Sequence, residues 1–237
     1  NKIGALCAYK ILLAFPKSQK YIPQKWQKKI HIVGNPIRSD LLNGSSKNLE
    51  KTLKTNFADK AILYVTGGGQ GSKLINNTIF QNLDTLTKKY IVIHQTGKTG
   101  IVEAQKINSS IRANTKIDQK QYESYFPFEF IGSELADIYA SADVVVARSG
   151  AGTVNELSFF DIYSIFVPLR PTQDDEQMKN AEWFLENHTG KIINQSDFNK
   201  KTLISELDKI PNTPLRRLEQ KNIESNNSLV LLLRVLI

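Results

Sequence analysis

"AILYVTGGGQGS", Ala61 to Ser72, runs an apolar stretch straight into a loop with almost no side chains. A short apolar run bounded by glycines reads as a buried strand. The bare loop after it has two explanations. One is a tight turn, since glycine tolerates positive φ. The other is that a phosphate or another molecule's backbone must come very close. The stretch alone fits both, and the sequence on either side has to choose.

Downstream, the pattern repeats. "SKLINNTIFQNLDTL" reads as one amphipathic helix, "YIVIHQT" as a strand and "GIVEAQKINSSIRANT" as a helix. "FPFEFI", "DVVVAR", "YSIFVPL" and "GKIIN" are further strands, each followed by a helical segment. Near-continuous apolar strands alternating with helices imply a parallel sheet covered on both faces. The expected fold is therefore α/β, a doubly wound Rossmann-like domain from about Gly34 to the end. Ligands in such sheets bind at the carboxyl ends of the strands. Both "GGGQGS" and "RSGAGTVNE" lie at such ends. Upstream, "NKIGALCAYKILLAF" has helical periodicity up to Pro16, "IHIVG" is a short strand, and Asn35-Pro36 is a turn. Residues 43–52, "NGSSKNLEKT", read as a polar surface stretch.

Composition narrows the class. With 237 residues, 41% of them hydrophobic, the chain can form one large domain or a domain plus part of another. The opening on Asn1, in what reads as mid-helix, suggests a piece of a longer protein. A single cysteine, Cys7, excludes an intramolecular disulfide framework. The net charge of +8 favours anionic partners: nucleic acid, acidic lipid or a phosphorylated ligand. "KSQKYIPQKWQKK", Lys17 to Lys29, reads as solvated surface, with a membrane contact as the minor alternative. "LVLLLRVLI" from Leu229 is too short to span a bilayer and reads as a buried C-terminal helix.

Standard phosphate motifs fail. "GGGQGSK" lacks the Gly-Lys-Ser/Thr of a Walker A loop, and a dinucleotide fingerprint needs glycine where Ser72 stands. What survives is a glycine-rich turn into a helix, whose first N–H groups can bind an anion. "ARSGAGTVNEL", Ala147 to Leu157, is a second such turn. Thr153 and Glu156 have the spacing of a capping box, in which Glu156 would only bond back to the helix start. With two bare helix starts in one sheet, Glu156 reads instead as the acidic group that holds ribose hydroxyls. Asp174, Asp175 and Glu176 suit the positive end of a helix dipole. Gln177 beside them can donate to and accept from sugar hydroxyls. His94 suits the cleft or the core equally, and His31 and His188 show no partner pattern. No cluster has metal-ligand spacing, and no catalytic dyad is visible.

Taken in order, "GNPIRSD", "VTGGGQGS", "IHQTGK", "FIGSELADIYASADVVVARSGAGTVNEL", "IFVPL" and "DEQMKNA" resemble the MurG family. These are GT-B glycosyltransferases of bacterial peptidoglycan synthesis, which add N-acetylglucosamine from UDP-N-acetylglucosamine to lipid I. The resemblance implies that residues 1–33 end an N-terminal acceptor domain. Residues 34–237 would then be the donor-binding domain, with the last helix packing back on its neighbour. It assigns donor contacts to Arg38, Gly69, Ile131, Ala151, Gly152, Thr153, Val154, Asn155, Glu156 and Gln177. Within that set, the Ile131 backbone reads uracil, Glu156 takes the ribose and Gln177 takes the transferred sugar. Gly69 is a departure, because the family usually has serine there, on the diphosphate. No catalytic group is expected in this chain, and no cofactor or metal. The implied partners are UDP-N-acetylglucosamine, undecaprenyl-linked lipid I and an anionic membrane surface, without nucleic acid. The implied location is peripheral, on the cytoplasmic face of the bacterial inner membrane. Two alternatives stay open: a non-catalytic nucleotide-sugar-binding subunit with a separate membrane partner, and a basic nucleic-acid-binding domain.

Overall fold

The computed structural model describes residues 2–14, 16–34, 37–57, 60–113, 123–171 and 175–210. The chain divides between Ser39 and Asp40 into two compact units. The apolar segment from Leu229 lies outside the described residues.

In the first unit, helix α1 (Lys2–Cys7) gives way to strand β1 (Ile11–Leu13), which pairs in parallel with β2 (Ile30–Ile32). The single helix expected as far as Pro16 is therefore wrong in its second half. Ile11 and Leu13 find partners in Ile30 and Ile32, and that distant pairing overrides a local helical period. The basic stretch expected as plain solvated surface forms two 3-10 segments, Pro16–Tyr21 and Gln24–Lys29. They bury Trp26, with the Lys25 ammonium 4.7 Å from its ring centroid.

The second unit holds a six-stranded sheet in the order β5-β4-β3-β6-β7-β8, with every pairing parallel. The strands are β3 (Ala61–Thr66), β4 (Tyr90–Gln95), β5 (Tyr125–Phe128), β6 (Val144–Ala147), β7 (Tyr163–Phe166) and β8 (Gly190–Ile192). β3, β4 and β6 are buried along their whole length, as their unbroken apolar runs require. From β3 the chain winds outward through β4 to β5. It then returns beside β3 at β6 and winds the other way. The order thus reverses between β3 and β6, where doubly wound sheets open a crevice at the strand ends.

Helices cover the sheet: α2 (Ser46–Leu53), α3 (Lys73–Phe80), α4 (Leu83–Lys89), α5 (Ile101–Ala113), α6 (Leu135–Ser141), α7 (Ala151–Phe160), α8 (Glu176–Leu185) and α9 (Lys200–Leu207). On one face, Ile75, Ile79 and Leu86 join Leu203 and Leu207 against Leu63, Val65, Val92, Val144 and Val146. Full burial of one such side chain is worth about 1.5–3 kcal/mol. That face therefore contributes heavily to the stability of the unit.

Two expectations are corrected here. The helix expected over "SKLINNTIFQNLDTL" breaks into α3 and α4. Buried Asn82 donates from its amide to the Thr78 carbonyl at 2.7 Å and so offers the backbone a turn instead of another helical residue. The stretch expected as polar surface at 43–52 contains α2, which buries Leu49. A Cβ at Gly44 would lie 2.0 Å from the Ala136 carbonyl, so glycine lets the α2 approach touch α6. The Ser45 N–H then bonds Asp137 Oδ1 at 2.8 Å.

Strands β5 and β8 form the edges of the sheet. β8 is three residues long, and β5 carries Pro127 opposite His94.

Candidate functional site

β3 and β6 end level with each other, with Thr66 paired to Ala147, so both glycine-rich turns leave the sheet side by side. The first turn is shaped by backbone demands. Gly68 has φ +84° and Gly71 φ +77°. A Cβ at Gly71 would sit 2.1 Å from the Thr96 carbonyl, and one at Gly67 would sit 2.3 Å from the Ser72 nitrogen. Gly69 differs from its neighbours. Its φ is not positive, and a Cβ there would meet nothing within 4 Å. The turn ends at Ser72, whose hydroxyl caps α3 by accepting from the Ile75 N–H.

The second turn enters α7 through Gly150, which caps with no side chain. Thr153 is the third residue of the helix and not its cap, so the capping box that its spacing allows does not form. Glu156 instead accepts a 2.8 Å hydrogen bond from the Tyr139 hydroxyl on α6. Tyr139 in turn meets the Tyr64 ring edge-on, with centroids 6.0 Å apart. Burial pushes the Tyr64 phenol well above its ordinary value; the Thr66 hydrogen bond opposes that shift and the Glu156 charge adds to it. Tyr64 therefore acts here as a neutral hydroxyl. The first N–H groups of α7 have no partner within the helix, and a helix start of this kind favours an anion.

Arg148 joins the two turns. Its guanidinium donates to Ser72 Oγ at 2.9 Å and to the Val167 carbonyl at 2.7 Å. Burial pulls its pKa down from the usual arginine value. The second turn is also tied to α8. Ser149 Oγ donates to the Gln177 carbonyl at 2.7 Å, and the Asn180 amide donates to the Ser149 carbonyl at 3.1 Å. Gln177 Oε1 accepts from the Leu169 N–H at 2.9 Å, which fixes the amide beside the end of β7.

On the other side of β3, Gln95 reaches across three strand ends. Its Nε2 donates to the Gly68 carbonyl at 3.0 Å, and its Oε1 accepts from the Ile131 N–H at 3.0 Å. The Ile131 N–H is thus already engaged.

Of the residues expected at the site, Gly69 and Ile131 follow the carboxyl ends of β3 and β5, Ala151, Gly152, Thr153, Asn155 and Glu156 lie in the first two turns of α7, and Gln177 lies in the first turn of α8. The Val154 side chain is fully buried and its N–H bonds the Gly150 carbonyl, so it serves the helix. Arg38 is an exposed residue of the first unit, and the site described here is built without it. Asp175 forms a two-pronged ion pair with Arg170, 2.7 Å at its closer bond, beyond the helix-dipole role expected of it; Asp174 lies outside the described residues.

His94 is core and does not line the cleft. It is fully buried, with Nε2 3.1 Å from Asn76 Oδ1 and Nδ1 3.2 Å from the Tyr125 hydroxyl. The Asn76 amide nitrogen donates to the Thr96 carbonyl, so its Oδ1 must accept, and His94 carries its proton on Nε2. Burial lowers its pKa to about 3. His188, for which the sequence offers no partner, bridges Ser158 at 2.7 Å and Asp161 at 2.8 Å, tying the C-terminal ends of α7 and α8. Its partners sit 30 and 27 residues away, so no local spacing could reveal them. Arg148, Ser149 and Gln95 were visible only as parts of motifs; Tyr139 and Asn180 carried no signal of their own.

Among the described residues, no group of three His, Cys, Asp or Glu side chains could hold a metal, and no helix is long and apolar enough to cross a membrane.

Known proteins share this architecture. The model of the glycosyltransferase family 28 C-terminal domain matches residues 62–232. The UDP-N-acetylglucosamine–N-acetylmuramyl-(pentapeptide) pyrophosphoryl-undecaprenol N-acetylglucosamine transferase of Staphylococcus carnosus (strain TM300) is 35% identical over 211 residues, covering 89% of this chain and 53% of that protein. The protein of the same description from Staphylococcus aureus (strain MRSA252) is 33% identical, covering 89% of this chain and 54% of its own length. The chain thus spans about half the length of these curated relatives. Among solved structures, Acinetobacter baumannii MurG superposes with a TM-score of 0.66 at 22% identity, over 98% of this chain and 62% of that one. The UDP-GlcNAc 2-epimerase of Neisseria meningitidis, bound to UDP-GlcNAc, gives 0.63 at 14% identity, over 99% and 62%. At these identities the likeness is one of fold.

Proposed function

The chain belongs to the glycosyltransferase family 28 C-terminal domain family, and from that premise we propose that it is the donor-binding part of an N-acetylglucosaminyltransferase of peptidoglycan synthesis. The observation that carries this reading is the pair of glycine-rich helix starts at the sheet's switch point, with Glu156 set just inside the second.

In this reading the UDP-N-acetylglucosamine diphosphate lies across the two turns. The N–H groups at the start of α7 and of the first turn face its charge. The uracil N3–H donates to the Ile131 carbonyl, since the Ile131 N–H is engaged by Gln95. Glu156, aimed by Tyr139, accepts from the ribose hydroxyls. Gln177 directs its amide N–H groups at the sugar while its Oε1 is held by Leu169. Transfer proceeds with inversion. The 4-hydroxyl oxygen of the muramyl sugar of lipid I bonds to the anomeric carbon, the bond from that carbon to the diphosphate oxygen breaks, and UDP departs with the electron pair. A base takes the hydroxyl proton. Preorganised N–H groups stabilise charge as it grows on the leaving diphosphate. The reading assigns no general base to these residues and places the protein at the cytoplasmic face of the membrane as a peripheral enzyme.

Two assays on the purified chain test it. Saturation binding should show a clear preference for UDP-N-acetylglucosamine over a TDP-sugar. Formation of lipid II from lipid I should stay at background, because a missing general base alone costs about 10²–10⁴ in rate. Equal affinity for the two nucleotides sinks the donor site, and rapid turnover sinks the division of roles.

A further inference from the structure

We propose that Gln95 is a positioning residue that fixes the spacing between the base end and the diphosphate end of the site. The inference rests on the donor-site reading above. Gln95 ends β4, and its side chain is buried, with 6% of its surface exposed. Its amide is used from both sides. The nitrogen holds the Gly68 carbonyl at 3.0 Å, with the Thr66 hydroxyl at 3.4 Å, and the oxygen holds the Ile131 N–H at 3.0 Å. Thr66 Oγ1 also accepts from the Gly68 N–H at 3.0 Å, so both backbone groups of Gly68 are tied to this cluster. Gly68 is the left-handed pivot of the bare turn, at φ +84°. Ile131 follows the end of β5, on the far side of β4. One amide therefore sets the separation of two loops that leave different strands.

The chemistry of the position is narrow. Only a primary amide both donates and accepts at this reach: glutamate keeps the acceptor and loses the donor, and leucine loses both. The Ile131 N–H is consumed in the staple, so the base must be read through the Ile131 carbonyl, whose direction the staple also sets.

The test separates the two ends of the ligand. Uridine reports the base end alone, by NMR titration, and UDP reports both ends, by calorimetry. Gln95→Glu keeps the bond to Ile131 and releases Gly68. Its uridine affinity should stay within about twofold of the wild type while its UDP affinity falls about tenfold or more. Thr66→Val frees the Gly68 N–H, keeps the Gln95 bond to the Gly68 carbonyl and adds no charge; it should shift the same ratio in the same direction by a smaller amount, which excludes simple repulsion of the diphosphate. It also serves if the Glu variant fails to fold. A residue that merely stabilised the fold would lower both affinities together with the melting temperature. Parallel losses of uridine and UDP, or no change in either ratio, overturn the spacing role while leaving the donor site standing. Failure of the wild-type chain to bind UDP overturns the donor site itself.

Discussion

The two glycine-rich turns look alike as sequence and differ as structure. In "GGGQGS", Gly68 and Gly71 adopt left-handed backbone, and Gly67 and Gly71 press against other backbone. In "RSGAG", Gly150 and Gly152 have no positive φ, and a Cβ at either would enter open space. The first turn is bare chiefly because the chain could not otherwise fold there. The second is bare beside space that a ligand can fill. A glycine count cannot separate the two cases; local dihedrals and neighbours can.

The sharpest way to break this comparison is Gly71→Ala. Left-handed strain and overlap with the Thr96 carbonyl should together cost about 2–4 kcal/mol, read as a lowered denaturation midpoint. Full stability in that variant would mean the turn is not as described. The second turn should respond in binding and not in folding. Glu156→Gln can still accept from Tyr139 but loses its charge, so UDP affinity should drop about tenfold or more, for about 1.5–3 kcal/mol, at an unchanged melting temperature. Unchanged affinity with a lowered melting temperature would make Glu156 structural.

Acid should loosen the first turn's side through His94, which holds Asn76 of α3. Its folded pKa is about 3, against 6.5 for an ordinary histidine. Between those values the unfolded chain binds a proton that the folded chain refuses. Stability from this group is therefore full above pH 6.5 and declines as pH falls toward 3, by up to about 1.4 kcal/mol per pH unit. His94→Gln should flatten that part of a stability–pH curve, and an identical slope in the variant removes His94 as the cause. The smallest effects fall at the open glycines. Gly69→Ser should tighten UDP binding by about 0.5–1.5 kcal/mol, since neither φ nor a neighbour resists the side chain. Gly152→Ala should raise stability by up to about 1 kcal/mol, and a simultaneous loss of UDP affinity by titration would show that the open space there belongs to the ligand.

Features whose cause is local were legible in the sequence. β3, β4 and β6 stood out because strands buried on both faces must be apolar throughout. The carboxyl-end position of both turns followed from the alternation of strands and helices. Features made by distant partners were not legible. β1 exists because Ile30–Ile32 pairs with it. The break between α3 and α4 depends on the side chain of Asn82 folding back on Thr78. Gln95 acquires its role only when Gly68 and Ile131, 27 and 36 residues away, meet its amide. Leu49 lay in a polar string, and only the approach of α6 gave it something to be buried against. The capping-box spacing at Thr153 was real but irrelevant, because the helix begins earlier, at Ala151.

Pro127 in β5 bears on how this protein tolerates crowding. The carbonyls of Ser124 and Phe128 accept from Val92 and Thr96 of the neighbouring strand, so even-numbered residues turn their backbone groups inward. Pro127, of the other parity, turns outward and has no N–H to offer. An incoming strand would find a gap in the ladder at the middle of this edge. On the opposite edge it would find only the three residues of β8. A parallel sheet with such a regular apolar interior is a natural template for runaway stacking, and a proline on one margin and a short strand on the other both work against recruitment.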